Sequence, residues 1–119
     1  MKICVTATGG TLDAMVDPAF GRAKQFIIVD TETLTFTAHD NPSINAVGGA
    51  GIQAAQLIAA RRAKAVLTGQ AGMNAFRALQ QAEIAIYCGV TGTVREAVAQ
   101  FNAGALTLQD AAGPGRQNK

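Results

Sequence analysis

The chain has 119 residues, which suits one ordinary domain and is too short for two. Apolar residue types make up 49% of the sequence and charged types only 15%, which argues against disorder and predicts a well-filled core. The net charge of +2 is too small to predict a nucleic-acid-binding or membrane-binding surface, so any anion site must be local.

Targeting signals and cysteine usage add two expectations. The first residues lack the apolar region and cleavage site of a secretory signal, and no segment approaches the roughly 18 apolar residues of a membrane span. We therefore expect a cytoplasmic protein. Cys4 and Cys88 have no metal-motif spacing, so both are expected to be reduced thiols.

The first part of the chain predicts a strand followed by a β-hairpin. The first strand is expected at residues 3–6, and a long loop follows it. The β-branched run at 26–29 predicts a second strand. Alternating apolar residues at 34–38 predict a third strand, paired with the second and lying at a sheet edge.

The remainder predicts alternating helices and strands. Apolar residues at helical spacing place helices near 52–59, 73–79 and 94–101, with short buried strands at 65–68 and 84–87. Thr93 and Glu96 form a capping box that fixes the start of the third helix.

Strands joined through helices must be parallel, so the order of elements predicts an α/β fold with a mixed sheet and helical cover. One domain is expected over residues 1–106. Residues 107–119 are rich in Gln, Gly and Asn and are predicted to form a flexible tail.

Three glycine-rich segments, at 48–51, 69–72 and 89–92, each lead into a predicted helix. Such turns lie at the carboxyl edge of a parallel sheet, where helix N-termini present free N–H groups and the positive end of the helix dipole. Together they predict an anion receptor whose glycines let a bulky ligand approach the backbone. For a single segment, a tight turn without function is the stronger interpretation.

Nothing in the sequence predicts a catalytic centre. Residues 49–54 fit the dinucleotide pattern G-x-G-x-x-A, but no strand precedes them and no acidic residue follows about 20 positions later. A P-loop is absent. His39 is expected at the surface with no neighbour to orient it. Cys4 is predicted to be a core residue, whereas Cys88 is a weak candidate for direct metal ligation. We therefore predict a binding protein and not an enzyme.

Several blocks of the sequence resemble the dinitrogenase iron-molybdenum cofactor biosynthesis family. They are Phe20-Gly21-Arg22-Ala23 before the second strand, Gly48-Gly49-Ala50-Gly51-Ile52-Gln53-Ala54-Ala55, and Gly92-Thr93-Val94. The resemblance implies a ribonuclease-H-like mixed five-stranded sheet of order 3-2-1-4-5 covered by three helices. It also implies a role in holding a preformed metal–sulfur cluster. Many members have histidines where this chain has Ala19 and Val47.

Because those histidines are missing, the resemblance implies a cluster held as a polyanion. A family branch from sulfate-reducing bacteria binds a molybdenum–copper sulfide cluster non-covalently, and this cluster is expected here ahead of the iron–molybdenum type. Backbone N–H groups with Arg22 and Lys24 would hold it, although a surface salt bridge is an equally good role for Arg22. The predicted contact residues are Gly9, Gly10, Phe20, Gly21, Arg22, Lys24, Gly48, Gly49, Gly51, Gln70, Gly72, Gly89, Thr91 and Gly92.

Two other functions would use the same glycine-rich face. One is an adaptor that docks an ATPase or a cluster-assembly protein. The other is a small nucleotide-binding or phosphometabolite-binding module whose helix N-termini take the phosphate. Neither a nucleic acid nor a membrane is expected as a partner.

Overall fold

The computed structural model describes residues 1–42 and 50–109. These residues form β1 (Lys2–Ala7), β2 (Gln25–Asp30), β3 (Phe36–Asp40), α1 (Ala50–Ala60), β4 (Ala65–Leu67), α2 (Met73–Gln81), β5 (Ala85–Cys88), α3 (Val94–Asn102) and β6 (Thr107–Leu108). None of the described helices has the length and apolarity that a membrane span requires.

The strands form one mixed sheet of order β3-β2-β1-β4-β5-β6. β1, β4 and β5 are parallel, whereas β2, β3 and β6 each run antiparallel to a neighbour. The predicted order 3-2-1-4-5 is therefore confirmed, and β3 is the edge strand that its alternating pattern predicted.

The predicted count of five strands is wrong. Thr107 and Leu108, which the sequence assigned to a tail, pair with Cys88 and Tyr87 as a sixth strand. Two exposed residues carry no periodic pattern, so the strand arises from pairing with β5 and not from a local signal. The sheet thus continues past the predicted domain end at residue 106, and the rest of the predicted tail, from residue 110, lies outside the described residues.

Helices cover both faces of the sheet. On one face α1 and α2 bury Ile58 and Leu79 against one core cluster, and on the other α3 buries Val94 and Val98 against a second. Successive residues of a strand point to opposite faces, so the central strand β1 is buried on both sides. The predicted mixed sheet with helical cover is confirmed.

The helix α3 begins where the sequence predicts. The Thr93 hydroxyl accepts a hydrogen bond from the Glu96 N–H at 3.1 Å, and the Glu96 carboxylate accepts one from the Thr93 N–H at 2.8 Å. This reciprocal pair is the predicted capping box. Because both partners lie within four residues, sequence alone was sufficient to locate it.

Candidate functional site

One edge of the sheet collects most of the predicted contact residues. The parallel strands β1, β4 and β5 all end there and lead into the segments 8–24, 68–72 and 89–93. β2 begins and β3 ends at the same edge, since Gln25 pairs with both Ala7 and Asp40. Each helix follows a strand that ends at this edge, so all three helix N-termini face it.

The turn before α2 is locked to the loop after β1. A Cβ atom at Gly69 would lie 2.4 Å from the Pro18 carbonyl oxygen, so only glycine permits this approach. The Gln70 N–H donates to Pro18 O at 2.9 Å, and the Phe20 N–H donates to Gln70 O at 3.1 Å. Gln70, a predicted contact, thus uses both backbone groups to join the two segments.

The N-terminus of α2 is an open set of donors. Gly72 is its N-cap, with φ −73° and ψ 178°, and no side chain caps the helix. Among the described residues, none accepts a hydrogen bond from the N–H groups of Gly72, Met73 or Asn74. A Cβ at Gly72 would meet no atom within 4 Å. These N–H groups, at the positive end of the helix dipole, can therefore receive an anion.

The first turn of α1 lies directly beside this helix start. A Cβ at Gly51 would lie 2.8 Å from the Ala75 Cβ and 3.3 Å from the Ala75 backbone nitrogen. Gly51 was predicted as a ligand contact, but it sits inside α1 and its role in the structure is to let α1 pack against α2. The other glycines of this block, Gly48 and Gly49, lie outside the described residues.

Gly51→Ala should destabilise the fold by about 1–3 kcal/mol, because the added methyl overpacks the contact between α1 and α2. The sign of the change in unfolding free energy is informative, because a Gly→Ala substitution in an uncrowded helix stabilises the fold by up to about 1 kcal/mol. Urea unfolding measures the difference. The matched variant Gly72→Ala, placed in open space, should lose less than about 1 kcal/mol, which is the cost of replacing an N-cap glycine by alanine. Equal stability of Gly51→Ala and the wild type would show that the helices do not meet this closely.

The N-terminus of α3, in contrast, is already occupied by the chain itself. Its capping box uses two donors, the Val94 N–H donates to Ala14 O, and the Arg95 N–H donates to Leu12 O, both at 2.9 Å. All four orphan donors of this helix are satisfied. The expectation that three helix starts jointly form an anion receptor therefore does not hold for α3.

The glycines before α3 have a backbone explanation. Gly89 and Gly92 adopt φ values of +69° and +91°, in the left-handed region that favours glycine. The Gly89 N–H donates to Gly69 O at 2.8 Å, so it is not a free donor. Thr91 lies exposed between them. The structure brings these three predicted contacts to the same sheet edge as α2 but on the side of the occupied helix.

The loop before β2 carries the predicted cations. Arg22 and Lys24 are exposed, and within the described parts of the chain neither forms an ion pair; the salt bridge found there joins Arg95 to Asp13 at 3.3 Å. The surface salt bridge considered for Arg22 thus has no partner among the described residues. Both cations remain available to an anion at this edge.

Phe20, a predicted ligand contact, lies inside the protein. Its side chain is only 1% exposed and packs against Phe26 with the ring centroids 5.6 Å apart. The buried ring anchors the loop to the core, and the exposed Arg22 follows two residues later. The aromatic residue therefore supports the site without facing it.

Asn41 is a structural residue of the site that sequence reasoning missed. Its buried side-chain amide donates to the carbonyl oxygens of Gly21 at 3.0 Å and Ala23 at 2.9 Å, on either side of Arg22. Its backbone N–H donates to Lys24 O at 3.1 Å. An Asn before a proline is typical of an exposed turn, so no local pattern indicates this burial.

The remaining glycines of the prediction, Gly9 and Gly10, lie in the loop after β1. A Cβ at Gly10 would approach the Gln25 side-chain oxygen to 3.1 Å, and one at Gly9 would touch the Ala14 Cβ at 3.4 Å. Both residues are at the same sheet edge as α2. Neither shows a conformation that demands glycine.

The described residues contain no group of three or more His, Cys, Asp or Glu side chains that could hold a metal ion. Burial raises the pKa of the Cys4 thiol far above its usual range, so this core residue stays protonated. Cys88 is half-buried at the end of β5. Burial, together with Arg61, lowers the pKa of His39, whose Nε2 lies 2.9 Å from the Thr37 hydroxyl.

Comparison with known proteins gives a consistent result. A family model described as dinitrogenase iron-molybdenum cofactor matches residues 1–104. The apo form of the orange protein from Desulfovibrio gigas is 42% identical, with a TM-score of 0.91 over 94% of this chain and 95% of that one. A NifB-like protein of the DUF35 family from Thermotoga is 29% identical, with a TM-score of 0.84 over 97% and 98% of the two chains. Among curated proteins, none matches the sequence.

Proposed function

The chain belongs to the dinitrogenase iron-molybdenum cofactor family, and on this premise we propose that it is a non-catalytic carrier for a preformed, anionic metal–sulfur cluster. The observation that carries the proposal is the uncapped N-terminus of α2, which lies against the first turn of α1. Free N–H groups at the positive end of a helix stabilise a negative charge without any metal–protein bond.

The cluster type best suited to this edge supplies its own sulfide ligands. Ala19 stands where many family members have a histidine, and the described residues bring no set of metal-ligating side chains together. We therefore propose that the site recognises the cluster by its charge and shape. We propose a molybdenum–copper sulfide ahead of an iron–molybdenum cluster, as the family resemblance implies.

Arg22 and Lys24 supply the cationic part of the site. Both follow the buried Phe20, and the segment that carries them is bonded through Phe20 and Pro18 to the turn before α2. The unpaired guanidinium and ammonium groups would balance the cluster charge and donate charge-assisted hydrogen bonds to its sulfides. The backbone N–H groups of α2 and the side chains of Arg22 and Lys24 would thus bind the same ligand from two adjoining segments.

The test is reconstitution without oxygen. The full chain is mixed with tetrathiomolybdate and Cu(I), desalted, and measured by visible absorption and by metal content per chain. We expect a coloured, stoichiometric complex. The double variant Arg22→Gln with Lys24→Gln should bind roughly tenfold more weakly, since each exposed cation contributes up to about 1 kcal/mol.

The matched control is Arg61→Gln with Lys64→Gln, which removes the same charge from exposed residues at the opposite edge of the sheet. It should bind like the wild type. Equal losses in both double variants would show that net charge and not this site attracts the cluster. A wild-type protein that takes up no metal, but is stabilised against heat by ATP, would replace the proposal with the nucleotide-binding alternative.

A further inference from the structure

The sixth strand brings one side chain to the turn that precedes α2. Gln109 follows β6, and its backbone N–H donates to Ile86 O at 2.8 Å, which continues the pairing with β5. Its side-chain amide bonds Ala71 twice: Oε1 accepts from the Ala71 N–H at 3.1 Å, and Nε2 donates to the Ala71 carbonyl at 2.8 Å. The amide therefore pairs with both backbone groups of one residue, as a residue of a neighbouring antiparallel strand would.

This pairing completes the bracing of the turn. On one side, both backbone groups of Gln70 bond to Pro18 and Phe20. On the other, both backbone groups of Ala71 bond to Gln109, and the Ala71 side chain is fully buried. The backbone of Gln70 and Ala71 thus cannot rotate without breaking hydrogen bonds. The next N–H groups along the chain are the open donors of Gly72, Met73 and Asn74.

We infer that Gln109 is a positioning residue for the anion site at the N-terminus of α2. It acts through Ala71 and makes no contact with the ligand itself. The inference rests on the proposed function. It also assigns a role to β6, which is to place the Gln109 side chain beside Ala71. An ordered turn binds more tightly than a mobile one because the entropy of ordering is already lost before the ligand arrives.

The test uses the full chain with Gln109→Ala. Hydrogen exchange of the hydrogen-bonded amides of the turn, those of Gln70, Ala71 and Phe76, should accelerate, whereas amides of the central strand β1 should keep the wild-type rate. Affinity for the cluster formed from tetrathiomolybdate and Cu(I) should fall about tenfold, with most of the change in the dissociation rate.

Two further variants make the result specific. Gln109→Glu keeps an acceptor for the Ala71 N–H but has no donor for the Ala71 carbonyl, so we expect it to fail as Gln109→Ala does. Gln100→Ala, which shortens an exposed glutamine on α3, is the matched control and should change neither exchange nor affinity.

The possible outcomes separate this inference from the function on which it rests. Accelerated exchange at Gln70, Ala71 and Phe76 with unchanged affinity would overturn the positioning role, and unchanged exchange at these amides would show that Gln109 does not brace the turn. If the wild type itself binds no cluster, the proposed function fails, while the exchange rates still report whether Gln109 orders the start of α2.

Discussion

Gly72→Asp is expected to make the fold more stable and, at the same time, to weaken cluster binding by roughly 100-fold. Asp is a strong N-cap residue, and the backbone of Gly72, at φ −73° and ψ 178°, already has the extended conformation that an N-cap requires. The new side chain would enter open space and accept from the free N–H groups of α2, which should add about 0.5–1 kcal/mol of stability.

The loss of binding has the same origin as the gain in stability. The carboxylate would occupy the donors that the cluster needs and place a like charge against a polyanion, and such juxtaposition costs several kcal/mol. Most damaging substitutions lower stability and binding together. Opposite changes in the thermal midpoint and in the affinity would therefore be hard to produce by any means other than competition for the start of α2.

Gly72→Asn separates the two effects. Asn caps a helix about as well as Asp but carries no charge, so its stability should rise by a similar amount while its affinity falls much less. The measurements are a thermal melt and the reconstitution titration, both without oxygen. If Gly72→Asp took up the cluster as well as the wild type, the ligand would lie elsewhere and the role of α2 would have to be abandoned.

The sequence predicted those parts of the fold that depend on local or periodic signals. The core helices and the first five strands follow from apolar spacing, and the capping box of α3 involves residues only three positions apart. The family resemblance supplied the strand order. β6 escaped prediction because its two residues are exposed and pair with β5 only through tertiary structure.

The sequence predicted that the glycine-rich turns share one sheet edge, but not which of their donors are free, because that depends on distant partners. The N–H groups of Val94 and Arg95 bond to carbonyl groups about 80 residues earlier in the chain, a fact that no motif around α3 encodes. In the same way, Gln109 reaches Ala71 across the end of β5. A glycine-rich turn indicates where a ligand can approach, whereas tertiary contacts decide whether the turn still has donors to offer.

The burial of the Phe20 side chain likewise depends on tertiary contacts that no local motif encodes. Replacing this residue gives the largest expected change in stability. Phe20→Ala should destabilise the protein by about 3–5 kcal/mol, since it removes a fully buried ring and leaves a cavity beside Phe26. Urea or guanidinium unfolding would measure it. Phe36→Ala, which removes a 40% exposed ring from the edge strand, is the matched control and should cost no more than about 1 kcal/mol.

Phe20→Leu then decides between a packing role and a ligand contact. Leucine retains much of the buried apolar volume, so this variant should fold and hold Arg22 in place at a moderate loss of stability. If Phe20 acts only by anchoring the loop, the affinity of folded Phe20→Leu for the cluster should stay within about threefold of the wild type, under 1 kcal/mol. A well-folded Phe20→Leu that no longer takes up the cluster would mean that the ring meets the ligand, and that the loop opens to expose it on binding.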